Sequence, residues 1–183
     1  MKTLRLPLLF FLMLGCHPEK QKENRQIAEE KNQKAFTSSG SEQEAQYCVD
    51  AAMANMYELA LLDIALERSN IPKVVQAAKI LQRDHELMQN DLSTLAQARH
   101  ITLPTTLEEV KRKEVNDLKR EADEQFEKDF LARLHTAHEE TDRQLSLFLT
   151  KVKDPGLQSW AERNMDLGRS HSNIISECIA NVR

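Results

Sequence analysis

Four residues of this chain carry side chains suited to holding a metal and sit where a helical pattern calls for apolar ones. Over residues 72–99, Val74, Ala78, Leu81, Met88, Leu92 and Leu95 recur at steps of three and four, and the slot between Leu81 and Met88 is filled by His85. His138 occupies the middle of a stripe made by Leu131, Leu134, Leu145 and Phe148. His171 lies inside a third stripe of Leu157, Trp160, Ala161, Ile174, Ile175 and Cys178, and Glu58 is surrounded by Ala51, Ala54, Leu61, Leu62 and Ala65. A carboxylate or imidazole on a buried face is costly unless paired. One shared divalent transition metal would pair all four, and imidazole nitrogen with carboxylate oxygen suits zinc, iron, copper or manganese. A His-Glu hydrogen-bond network without metal would satisfy the same groups. On the residues alone both readings stand: a one-cation binding bundle, or a structural or interaction module whose polar layer fixes helix register. Enzyme activity would need an open coordination position. Without metal, acidification toward about pH 5 is expected to charge the three imidazoles together and loosen the bundle.

The elements that must position these residues are four long helices. The first is expected over 46–68, ending before Ser69-Asn70-Ile71-Pro72, and the second over 72–99, with Pro72 in a first turn where proline is tolerated. Thr105 and Thr106, each with Glu three residues on, resemble capping boxes and predict a shorter helix through Leu107, Val110 and Leu118. The third long helix is expected over 122–152, and Asp154-Pro155-Gly156 separates it from the fourth, which runs to about 181. Glu58, His85, His138 and His171 then lie roughly 18 to 22 Å from their turns, close to mid-helix and able to meet at one level. The fold class is all-α: a four-helix bundle with a short extra helix between the second and third long helices.

Composition agrees. The chain has 183 residues, 40% hydrophobic but only 5% aromatic, with four Gly and five Pro, which favours long uninterrupted helices over a β-sandwich. A formal charge of -4 argues against nucleic acid as a partner. Residues 1–16 read as a targeting segment: Lys2 and Arg5 form a basic head, residues 6–14 an apolar run too short to span a bilayer, and Gly15-Cys16 resembles a bacterial lipoprotein processing site. Cys16 would carry the lipid and make the membrane a partner. With His17 rather than Asp after the cysteine, the expected location is the periplasmic face of the outer membrane. Residues 17–45 are dominated by Glu, Lys, Gln, Asn and Ser and are expected to form a flexible polar tether with transient helix around 26–35, leaving 46–183 as the bundle domain.

Several stretches resemble a known family. Glu58-Leu59-Ala60-Leu61, Arg83-Asp84-His85, Thr102-Leu103-Pro104-Thr105 and Phe126-Glu127-Lys128-Asp129-Phe130-Leu131, with His138 and His171, look like the bacterial domain-of-unknown-function family four-one-four-two. That family is often labelled predicted outer membrane protein and is similar to ferritin-like bundles. The resemblance covers residues 46–176, and departs at His100, Asp123 and Asp166, where the family tends to have Gly, Gly and Pro. It implies an exported ferritin-like domain. Di-iron chemistry is disfavoured, because such bundles use four Glu with two Glu-x-x-His pairs and this layer has one Glu and no such pair. A ferritin-like connection would send the link between the second and third helices along the bundle, placing Cys48 and Cys178 at opposite ends. A plain up-down bundle would bring them together, since Cys48 lies 22 residues before Asn70 and Cys178 lies 22 after Gly156. The crossover is the expectation.

Overall fold

Proline, serine and aspartate set the helix boundaries much as the sequence implies. The computed structural model describes residues 23–182, which form α1 (Asn24–Ala35), α2 (Ser39–Arg68), α3 (Pro72–Ala98), α4 (Glu109–Lys119), α5 (Asp123–Lys151) and α6 (Pro155–Val182), with no strand among the described residues. The Ser38 hydroxyl accepts the Ser41 N–H and caps α2. Pro72 stands in the first turn of α3, and the Asp154 carboxylate accepts the Leu157 N–H at 2.9 Å to cap α6. At the end of α3 the Ile101 N–H reaches Ala96 O and the His100 N–H reaches Gln97 O, a closing pattern that puts His100 at φ 57°.

The long helices pack as a four-membered bundle in which α2 meets α3 and α5, while α6 meets α5 and α3. Its core is in two halves. One gathers Leu61, Leu62, Val74, Leu81, Phe126, Phe130, Ile175 and Cys178, and the other Cys48, Ala52, Met88, Leu92, Phe148, Leu157 and Trp160. The C-terminal half of α2 and the N-terminal half of α3 therefore share an end with the start of α5 and the finish of α6. The two helical hairpins point opposite ways, and the link carrying α4 crosses the length of the bundle against α2 and α5, as the crossover topology requires. Cys48 and Cys178 lie buried in opposite half-cores and are free.

Three expectations are corrected. The polar stretch is not a tether as far as residue 45: α1 occupies 24–35, and α2 begins at Ser39 rather than at 46. Its docking uses few apolar side chains, which is why the composition hides it. Ala28 is buried, Asn32 bonds both the N–H and the C=O of Thr102, and Arg25 pairs with Glu29 and Asp50. The Thr105 and Thr106 capping boxes do not form either; α4 starts at Glu109, and the Thr105 N–H and hydroxyl are held by Asn24 Oδ1. The mixed charges of α4 form same-helix pairs, Lys111 with Glu114 and Lys113 with Asp117. No helix among the described residues is long and apolar enough to cross a membrane; Cys16 and the remainder of residues 1–22 lie outside the described residues.

A left-handed backbone at a residue with a Cβ is strained. Replacing His100 with Gly is expected to stabilise the fold by about 1 kcal/mol, read as a rise in the urea midpoint at unchanged slope.

Candidate metal centre

The four mid-helix polar residues meet between the two half-cores. Glu58 is fully buried, and His85, His138 and His171 are 1 to 3% exposed. The ring centroids of His85 and His171 are 5.3 Å apart, those of His138 and His171 5.5 Å, and those of His85 and His138 6.2 Å. One nitrogen from each imidazole can be chosen so that all three lie within 4.8 Å of one another. Glu58 is outside that group of three but adjoins it: its Oε2 is 3.0 Å from His138 Nδ1 and 3.4 Å from His85 Nε2.

Each ring is fixed by an outer partner on one nitrogen. Asn55 Nδ2 donates to His85 O and to Gln89 Oε1, both at 2.9 Å, so its Oδ1 is the acceptor facing His85 Nδ1 at 2.7 Å. The His85 proton is thereby placed on Nδ1, and Nε2 is left buried with no hydrogen-bond partner. Gly168 O accepts from His138 Nε2 at 3.1 Å, and Asp84 Oδ2 accepts from His171 Nε2 at 3.2 Å. Thr141 Oγ1 donates to Glu58 Oε1 at 2.5 Å. Imidazoles that ligate metals are commonly oriented in this way, through the nitrogen that does not ligate.

The charges separate the three histidines. Burial pushes His85 down to about 4, with His171 and His138 adding to the fall and Glu58 opposing it. Burial also lowers His171, against the pull of Asp84. Burial would lower His138 too, but its hydrogen bond and charge contact with Glu58 reverse the shift and hold it above the ordinary histidine value. Burial would raise Glu58; the imidazoles of His85 and His138 and the Thr141 hydroxyl outweigh that and keep it below the usual carboxylate range. His138 faces an acceptor on each side, Glu58 and Gly168 O, so in the metal-free protein it pairs with Glu58 as an imidazolium.

All four residues singled out from the sequence are thus brought together, whereas Asn55, Asp84, Thr141 and Gly168 were not recognised as their partners. Gly168 carried a signal, since an isolated glycine inside a long helix usually has a packing reason. A Cβ there would collide with the Asp142 carboxylate. Two further candidate ligands lie at the margin: Asp63 is exposed, and His135, its side chain 40% exposed, pairs with Glu139.

A family whose description reads Domain of unknown function (DUF4142) matches residues 23–176. The chain belongs to that family. The match begins at the residue before α1, so the DUF4142 domain takes in the docked N-terminal helix as well as the bundle. No curated protein and no solved structure matches the chain.

The expectation that the imidazoles charge together is replaced by a staggered order with His138 first. His85 and His171 have lowered values, so the unfolded chain binds their protons before the folded one does, and stability falls as pH drops below about 6.5. His138 acts oppositely: its contribution is complete at low pH and lost as pH rises through its raised value. The larger His85 shift decides the sign. Metal-free protein is expected to lose on the order of 2–3 kcal/mol between pH 7 and 4. Thermal melts across that range check this, and a flat profile would contradict a buried neutral His85.

Proposed function

We propose that the domain binds one divalent first-row transition ion through His85, His138 and His171, with Glu58 as the fourth donor. The observation that carries this reading is His85 Nε2: a buried lone pair with no partner, 3.4 Å from a buried carboxylate oxygen. A cation between them converts a repulsion into two bonds. Three nitrogens and one oxygen suit zinc, whose donors stand roughly 3.3 Å apart around an ion held at about 2.0–2.1 Å. The three nitrogens, within 4.8 Å of one another, would close by about 1.5 Å to reach that spacing. Four protein donors in a closed core favour a buffer, sensor or carrier of a single cation over catalysis. Iron storage is disfavoured, because one Glu and no Glu-x-x-His pair fall short of the four carboxylates that hold a di-iron centre.

The rival reading is a hydrogen-bond network without metal. It is favoured by His138, whose two nitrogens already face Glu58 and Gly168 O. That network accounts for His138 and Glu58 but gives His85 Nε2 no role.

Reconstitution separates the two readings. Purified protein offered zinc, copper, iron and manganese in turn is expected to retain one equivalent of at least one of them by elemental analysis. Loading should release about one proton as His138 Nδ1 changes from donor to ligand. Glu58→Gln should weaken binding at least about tenfold, and His85→Ala should abolish it. Substoichiometric metal in every case, with His85→Ala altering stability alone, would leave the network reading.

We also propose that the protein is a lipid-anchored component of the cell envelope, facing the periplasm from the outer membrane. Support comes from the basic head at Lys2 and Arg5, the apolar run over 6–14 and Gly15-Cys16. Labelled palmitate is expected to enter the full chain in a Gram-negative host and to be lost in Cys16→Ser. Labelling that survives the substitution, or none in the parent chain, would remove the anchor.

A further inference from the structure

We propose that the cleft between α2 and α5 is the path by which the divalent cation reaches the buried centre, with the Gln144 carbonyl as a way-station and Thr141 as the inner gate. The inference rests on the metal-binding reading above. Two cavities lie in this cleft, of about 540 Å³ and 140 Å³, and Asp50 and Gln144 border both. Small side chains make the room: Ala54, Ala132 and Ala137 line the larger, and Ala51 the smaller. The smaller cavity runs inward from Leu147, 41% exposed, to Met88 and Trp160, which are 5 and 1% exposed and belong to the opposite helices α3 and α6. It therefore passes between α2 and α5 into the core.

Four carboxylates border the outer cavity, Asp50 and Glu108 beside Arg25, Glu114 beside Lys111 and Glu140 beside Arg143, so its mouth is close to charge-balanced and a ligand for a cation must come from a group without such a partner. Deeper in, Gln144 Nε2 donates to Glu140 Oε1 at 2.9 Å, which fixes the amide, and Gln144 Oε1 is left buried without a hydrogen-bond partner. An unpartnered carbonyl oxygen is a favourable transient ligand for a partly hydrated ion. The inner wall is Thr141, whose hydroxyl is bonded to Glu58 Oε1 at 2.5 Å. Rotation of one threonine side chain would bring the cavity into direct contact with the centre. On the opposite face, between α3 and α6, Arg83 caps the Asp84 carboxylate that holds His171.

The test is kinetic and uses the full chain with cobalt(II), whose visible absorption reports tetrahedral binding. Ala51→Leu, which fills the inner cavity, is expected to slow cobalt uptake and chelator-driven release by about tenfold each, leaving equilibrium affinity unchanged. Tyr47→Ala, which widens the same cavity, should speed both, and its opposite sign keeps the test valid should the filled variant fold poorly. Rates unchanged in both variants, or slowed only by Arg83→Leu on the far face, would overturn the path while leaving the centre intact. Failure of the parent chain to bind cobalt at equilibrium, with zinc, copper, iron and manganese also not retained, would overturn the metal reading itself, and the path with it.

Discussion

A carboxylate with no solvent contact must be neutralised where it stands, and Glu58 sets that condition for the whole bundle. Desolvation of such a group is worth several kcal/mol, so the other three long helices contribute to offsetting it. The α5 helix supplies His138 and Thr141, α3 supplies His85, and α6 supplies the ring of His171 and the backbone oxygen that steadies His138. Sliding any one helix by a residue would separate several of these contacts at once. The layer thus acts as a register lock whether or not it holds an ion.

The same layer divides the apolar core into an upper and a lower half. The crossover connection then places one tight hairpin turn beneath each half, so neither end of the bundle is left to isolated helix termini. One end is fastened by Arg68, which bonds the backbone at Leu118, Lys119 and Glu121 and lies over the Phe126 ring. At the other, Arg99 of the α3 terminus pairs with Asp154, the residue that caps α6. Long-range polar contacts at the ends and a polar plane in the middle leave the apolar halves to supply bulk cohesion.

What the sequence made legible follows from periodicity. Four polar residues interrupted apolar stripes at mid-helix, and the structure brings those four together. The outer partners were obscured because each has an ordinary reason to be where it is. Asn55 and Thr141 lie three residues from Glu58 and His138, a spacing that equally suits a helix flank, and Asp84 beside Arg83 reads as a surface pair. Only the packing of α3 on α6 turns Asp84 toward His171. The helical tendency of α1 was legible but its docking was not, for a different reason. Hydrophobicity measures apolar burial, whereas this helix is held by Asn32 on the Thr102 backbone and by Arg25 on Asp50, interactions that no local pattern announces.

The direction of the chain through the four long helices has an electrostatic outcome. Every neighbouring pair, α2 with α3, α5 with α6, α2 with α5 and α3 with α6, runs antiparallel, as the composition of the two half-cores shows. Each end of the bundle therefore presents two positive and two negative helix poles in alternation, and the macrodipoles cancel as a quadrupole. The ends project no directional field along the axis, and the central plane sits some 20 Å from either set of poles. The potential felt by a charge at the centre is then written by the side chains of that plane and by the Gly168 carbonyl, so single substitutions there act on it directly, unbuffered by the scaffold.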